Sequence, residues 1–260
     1  MKLKILYKYY ITKILTCCLL GTIYFQLANA QIVNMESQRY HTDTTGWSGT
    51  LSGNLSLTNS GQNIFAANVN AHAQYQAKKN LYLLLGSYGF LKSESKSFID
   101  NAFIHFRYNH KLGDVVRLEA FTQLQENKIN KIESRFLTGA GLRFKIISTK
   151  KVRLYAASLA MYETEKEQGK MGKITDWRNS SYCSFTYFPN EQTVFITTTY
   201  YQPVFVRFKD YRILNESSFK IKANKKIAIT INWSYQFDSS PADQVQQSTY
   251  NLSTGIELSL

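Results

Sequence analysis

The sequence predicts an all-β fold: a transmembrane up-and-down antiparallel β-barrel of 12 strands, following a cleaved signal peptide. Three observations carry this. The first 30 residues have the charge and hydropathy layout of an export signal. The rest of the chain alternates apolar and polar residues with a period of two. The apolar face of that alternation is large, aromatic and free of mid-strand charge.

The stretch "MKLKILYKYYITKILTCCLLGTIYFQLANA" places lysines at 2, 4, 8 and 13 before an apolar core from Ile14 to Leu27, and closes on Ala28-Asn29-Ala30. That is a basic head, an apolar centre and a small-residue cleavage site, so cleavage is expected after Ala30. The centre is shorter than the roughly 20 residues that span a bilayer as a helix. Cys17 and Cys18 fall inside this segment, which leaves Cys183 as the one cysteine of the exported chain, unable to form an internal disulfide. Residues 1–30 are thus read as signal peptide, 31–46 as a periplasmic leader or plug acting through Glu36 and Arg39, and 47–260 as the barrel.

Composition agrees with an envelope protein. Without the four signal lysines, 27 basic residues face 18 acidic ones, about +9. The basic residues are scattered over every strand and turn and form no recognition helix. Nucleic acid is therefore not expected as a partner, and anionic outer-membrane lipid and lipopolysaccharide are. Eighteen Tyr and 16 Phe against three Pro suit an aromatic-girdled β protein.

Each strand follows from its own alternation. In "WSGTLSGNLSLTN", Trp47, Leu51, Leu55 and Leu57 share one face, with Ser, Thr and Asn on the other. "IFAANVNAHAQYQA" sets Phe65, Val69 and Tyr75 against Asn68, His72 and Gln76, and "IAITINWSYQFD" repeats the pattern through Ile229, Trp233 and Phe237. Further strands are expected near 98–109, 115–127, 134–147, 152–163, 177–188, 193–202 and 211–222. The stretch 81–91, "LYLLLGSYGFL", reads as a strand too apolar to assign its faces. The segment "TYNLSTGIELSL" supplies the last strand. Its Gly255, Ile256, Leu258 and Leu260 resemble the C-terminal signal read by the barrel-assembly machinery, without the usual terminal aromatic. Connections are expected to alternate between tight turns such as "KKN", "STKK" and "ANKK" and longer loops such as "QENKINK", "QPVFVRFKD" and the run from Asp238 to Gln247.

Period alone leaves open which face meets lipid. A soluble barrel would turn its apolar face inward. The absence of mid-strand charge on that face favours lipid contact, since Arg or Lys near the bilayer centre costs about 2–4 kcal/mol. The polar face then lines the lumen, with His105, Arg107, Glu119, Gln123, Gln125, Arg135, Arg143 and Glu163 as the candidate network or selectivity residues. Gly139 and Gly141 leave room for their long side chains.

Catalysis is not expected. His41, His72, His105 and His110 are dispersed and none is placed as a lipid-facing base. Glu163 and Glu165 come nearest to a carboxylate cluster but are assigned to opposite faces. Cys183 has no ligand-type neighbour, so neither a metal nor another cofactor is expected.

The segments "IVNMESQR" (32–39), "GWSG" (46–49), "NAFIHFRY" (101–108), "EAFTQLQEN" (119–127), "RFLTGAGLRF" (135–144), "MYETE" (161–165) and "YQPVFVRFKDYR" (201–212) resemble domain-of-unknown-function family 481, the YdiY-like, salt-induced outer-membrane proteins. The resemblance implies a porin-like outer-membrane β-barrel of a Gram-negative bacterium and supplies no catalytic residue. Two functions stay open: a narrow channel for small solutes or ions, or a closed structural or interaction barrel that acts through its extracellular loops.

Overall fold

The computed structural model describes residues 45–59, 63–93, 96–128, 130–224 and 227–258. The expected signal peptide, all but the last two residues of the expected leader, and Leu260 lie outside them. Twelve strands follow one another: β1 (Gly46–Asn59), β2 (Asn63–Ala77), β3 (Asn80–Ser93), β4 (Lys96–Lys111), β5 (Val116–Asn127), β6 (Ile132–Ser148), β7 (Val152–Glu167), β8 (Ile174–Tyr187), β9 (Thr193–Val204), β10 (Arg207–Lys222), β11 (Ile227–Asp238) and β12 (Ser248–Leu258). Each pairs antiparallel with the next in a single sheet of order β1 to β12. The first and last strands also meet, so the sheet curls round onto itself. Gly255, Ile256 and Leu258 of β12 pair with Thr230, Ile229 and Ile227 of β11.

The alternation read from the sequence is the alternation of burial. On β5, Leu118 and Leu124 are exposed while Glu119, Phe121, Gln123 and Gln125 are buried. On β7, Leu159, Met161, Glu163 and Glu165 are buried. The apolar face therefore points outward and the polar face inward. β3, whose faces the sequence left unassigned, buries Leu81, Leu83 and Leu85 and exposes Tyr82, Leu84 and Tyr88.

The outward face carries aromatics at both ends. At the rim formed by the tight turns, Trp47, Tyr75, Tyr82 and Tyr108 follow one another round β1 to β4 at ring separations of 4.9, 6.3 and 5.2 Å. At the opposite rim stand the pairs Phe65–Phe90, Tyr162–Trp177 and Tyr201–Tyr211, the last continuing to Phe237. From Phe65 to Tyr75 along β2 is about 33 Å of strand. At a tilt of about 40° this gives about 25 Å along the axis, the height of an outer-membrane apolar belt. Between those two rings β2 shows lipid only Ala67, Val69, Ala71 and Ala73.

The expected alternation of short and long connections does not hold. "QPVFVRFKD" is mostly strand: β9 runs to Val204, residues 205–206 turn, and a register shift between Arg207 and Tyr211 absorbs the remainder. Similarly, β5 and β6 extend until only 128–131 remain of "QENKINK". Paired backbone satisfies its N–H and C=O groups better than a loop does, so polar residues near the ends were recruited into the ladders. Two longer connections survive at this loop rim, 168–173 and 239–247.

Candidate functional site

The candidate site is the inside of the barrel, where β4 to β11 bring their charged residues together. Near the loop rim, Glu163 on β7 is the hub. Its Oε1 lies 3.1 Å from Arg135 Nε on β6, whose N–H donates to Glu165 Oε2 at 2.8 Å, and accepts from an Arg212 terminal nitrogen on β10 at 2.5 Å. Its Oε2 accepts from Arg178 Nε on β8, also at 2.5 Å. Glu165 sits beside it and receives Arg135 at 2.5 Å and Arg212 at 3.2 Å. Arg212 completes its fork on Asp238 of β11 at 2.8 Å, and Arg178 reaches Asp210 at 3.0 Å and the Gln202 carbonyl at 3.2 Å. At the edge of the mouth Arg207 holds both oxygens of Asp176, at 3.0 and 2.9 Å. Charged forks of this kind are the stronger class of hydrogen bond, and Arg supplies the planar geometry for them.

Glu163 and Glu165 therefore share one face. Their assignment to opposite faces was an error of parity, since residues two apart on a strand point the same way.

Nearer the turn rim a second polar group forms on β4 and β5. His105 Nδ1 donates to Gln123 Oε1 at 2.8 Å, and Arg107 Nε donates to His105 Nε2 at 3.3 Å. An amide oxygen can only accept and an arginine N–H can only donate, so these two bonds fix the neutral histidine tautomer with its proton on Nδ1. Gln123 passes a bond to Gln125 at 3.0 Å. Arg107 lies 3.6 Å from Glu119, which also accepts the Tyr182 hydroxyl of β8 at 2.7 Å. Arg143 lays its guanidinium over the Tyr155 ring, 3.7 Å from the ring centre.

An apolar cluster of Phe121, Leu137, Leu159, Met161, Tyr200 and Leu214 shares this interior with the polar groups. Glu119 and Leu214 are 0% exposed and Arg135 1%. Gly141 pairs in register with Glu119 and sits tight against β7. A Cβ at Gly141 would overlap the Ser158 carbonyl oxygen and lie 2.5 Å from Leu159 Cα, both backbone atoms that no rotamer change can clear.

Several of these contacts are chords rather than neighbours. Arg212 and Glu163 are three strands apart, as are Tyr182 and Glu119. The mouth is bridged as well. Lys131, in the connection after β5, donates to the Asp243 carbonyl at 2.8 Å and to Gln244 at 2.9 Å, both in the connection after β11. Those connections lie half a barrel apart. Lys170, between β7 and β8, joins the same bridge through Glu167 at 2.7 Å and Asp243 at 3.8 Å. The hydrogen bond to Glu167 holds its ammonium above the usual lysine range.

All eight candidate residues read from the sequence are buried on the inward face. Glu165, Asp176, Arg178, Tyr182, Arg212 and Asp238 were missed. The same alternation could have found them: from 176 onward the even positions of β8, Asp176, Arg178, Ser180, Tyr182, Ser184 and Thr186, are all buried. Cys183, between them, is exposed on the outer face. Among the described residues no three His, Cys, Asp or Glu side chains converge to hold a metal ion.

Comparison with solved structures gives the same architecture at low sequence identity. A NanC porin matches with TM-score 0.51 and 13% identity, over 82% of this chain and 98% of that one. The translocator domain of the autotransporter NalP from Neisseria meningitidis matches with TM-score 0.46 and 10% identity, over 86% and 91%. A KdgM porin in complex with disordered oligogalacturonate gives 0.44 and 10%, over 82% and 96%. The fold comparison rests on the first: the chain has the fold of an outer-membrane β-barrel. No curated protein matches the sequence. A family model does match, over residues 34–259, and by that match the chain belongs to the protein family of unknown function DUF481.

Proposed function

We propose that this protein is a closed outer-membrane β-barrel whose lumen is filled by its own side chains, and that it works through its outer surfaces rather than by conducting solutes. The observation that carries this is the set of chords across the lumen, Arg212 to Glu163 and Glu165 above all. A water-filled path would leave its lining wet, whereas the central polar residues here are enclosed by ion pairs and an apolar cluster. The bridge from Lys131 to the 239–247 connection lies over the mouth. In this reading the eight lumen residues brace the wall and select nothing.

The same proposal includes an export signal cleaved after Ala30, assembly by the outer-membrane insertion machinery, and a wall in contact with outer-membrane lipid and lipopolysaccharide. It includes no catalytic step. The other reading is a narrow channel for small solutes or ions, with Arg135, Glu163 and Glu119 setting charge preference. It requires the loop bridge and the Arg212 fork to open. Liposome swelling separates the two. Vesicles holding the refolded chain should swell no faster in small sugars or amino acids than empty ones; size-dependent swelling supports the channel.

A further inference from the structure

The two rims of the barrel treat their cations differently. At the loop rim cations are answered by carboxylates: Lys128 by Glu126 at 4.0 Å, Lys166 by Glu133 at 2.5 Å, Lys170 by Glu167 at 2.7 Å and Arg207 by Asp176 at 2.9 Å. Others there, Lys92, Lys173 and Lys209, stand within three positions of Glu94, Asp176 and Asp210 in the chain. At the turn rim this balance is missing. Lys78 and Lys79 form the turn after β2, Lys111 ends β4, Lys150 and Lys151 lie in the turn after β6, and Lys222 ends β10. Lys111 is half-buried and the other five are exposed. Among the described residues none of these six ammonium groups meets a carboxylate. Only Lys111 has an acidic residue within three positions of it, Asp114. Lys225 and Lys226 continue the series in the sequence of the turn after β10, and against all of these the turn end adds only Glu191 and, on β12, Glu257.

A ring of like charges repels itself unless anions from outside come to it. Its depth says which anions. Lys78 and Lys111 each stand three residues beyond an aromatic of the turn-rim ring, Tyr75 and Tyr108. Three residues are about 10 Å of strand, or about 8 Å along the axis at a tilt of about 40°. Aromatic belts mark the edge of the hydrocarbon, and the headgroup layer beyond that edge is about 5–8 Å deep. The turns are too short to carry the lysines farther out: 78–79 is the entire connection from β2 to β3, and 149–151 that from β6 to β7. A lysine stem also lies readily along apolar surface while its ammonium stays at the polar level. A soluble polyanion would need a surface standing clear of the membrane, which these turns do not offer.

We infer that the turn rim is a binding collar for anionic glycerophospholipid, whose phosphates are held by Lys78, Lys79, Lys111, Lys150, Lys151 and Lys222. Short turns of outer-membrane barrels face the periplasm, so the collar lies in the leaflet opposite the lipopolysaccharide. The inference rests on the outward face meeting lipid and is independent of whether the lumen conducts.

Tryptophan quenching tests it, because Trp47 belongs to the turn-rim ring beside Lys78 and Lys79 while Trp177 stands at the loop rim. The mature chain carrying Trp177→Phe and Trp233→Phe is refolded into liposomes of phosphatidylcholine with phosphatidylglycerol, one or the other brominated near the top of its acyl chains. Quenching by either lipid reports contact with the wall; the difference between them reports the collar. One lysine near an anionic surface favours it by about five-fold, so brominated phosphatidylglycerol is expected to associate at Trp47 about five-fold more strongly than phosphatidylcholine at low salt. A chain with Trp177 alone should show no preference. The preference at Trp47 should vanish when Lys78→Gln, Lys79→Gln and Lys111→Gln are combined, with the folded-barrel gel shift retained, and should survive the three corresponding changes to Arg. In the unaltered lysine background it should also vanish in about 1 M salt, where the Debye length is about 3 Å. Equal quenching by the two lipids, or a preference that survives high salt or the Gln changes, overturns the inference. So does adhesion to isolated peptidoglycan sacculi that is lost with the Gln changes while Trp47 shows no lipid preference, which would assign the rim to the cell wall.

Discussion

Replacing Glu163 by Gln removes one charge and little volume from the hub of the rim network. The side-chain oxygen that faces Arg135 and Arg212, at 3.1 and 2.5 Å, can be kept by the amide. The other oxygen, 2.5 Å from Arg178 Nε, becomes an NH2 group pointed at an N–H donor. One charge-assisted bond is lost, worth about 1.5–3 kcal/mol. The two contacts that remain weaken, because the group they face is now neutral. Breaking a buried ion pair from one side costs about 3–5 kcal/mol; the surviving contacts of Arg135 and Arg212 with Glu165 place the expected loss near the lower end, about 3 kcal/mol. Urea unfolding in lipid vesicles reads this out, with Trp47, Trp177 and Trp233, all outward-facing, reporting release from the membrane. Combining Glu163→Gln with Arg178→Met should cost less than the sum of the two single changes. A loss below about 0.5 kcal/mol, the scale of an exposed pair, would refute the view that this network holds the wall together.

Gly141→Ala should impair folding or destabilise the barrel strongly, because the new Cβ meets the backbone at Ser158 and Leu159, while Gly113→Ala, with open space around it, should be neutral; heat-modifiability on gels compares the two. Ile104→Arg puts a charge on an outward position that is 50% exposed and well inside the belt, and should cost about 2–4 kcal/mol in vesicle unfolding. The same change at Leu112, in the turn after β4, should cost no more than about 1 kcal/mol. Equal costs at the two sites would mean that the outer face does not meet lipid.

The strands were legible because a wall with lipid on one side must alternate. Where both faces are apolar that signal vanishes: inward Leu81, Leu83 and Leu85 and outward Tyr82 and Leu84 look the same in the sequence, and only curvature tells them apart. The loops were misjudged for a related reason. Charged and polar residues near a turn mark a segment as wet, yet in the chain from Gln202 to Asp210 they enter the rim network: Gln202 and Asp210 both contact Arg178. Individual lumen residues on β4 to β7 were legible by parity, and those on β8 were equally so. Their partners were not. Strand register brings Arg135 opposite Glu165, but nothing local brings Arg212 to Glu163 or Tyr182 to Glu119. Those contacts exist because the sheet closes, and closure is a property of the whole wall.

The closed lumen is tested most directly by single-channel recording of the refolded mature chain in planar bilayers, with a salt gradient to read ion preference. A folded barrel that stays electrically silent, and remains so in Arg135→Ala and Glu119→Ala while losing stability, is the expected result. Discrete, reproducible openings in the unaltered chain, with a reversal potential shifted by Arg135→Ala, would contradict it.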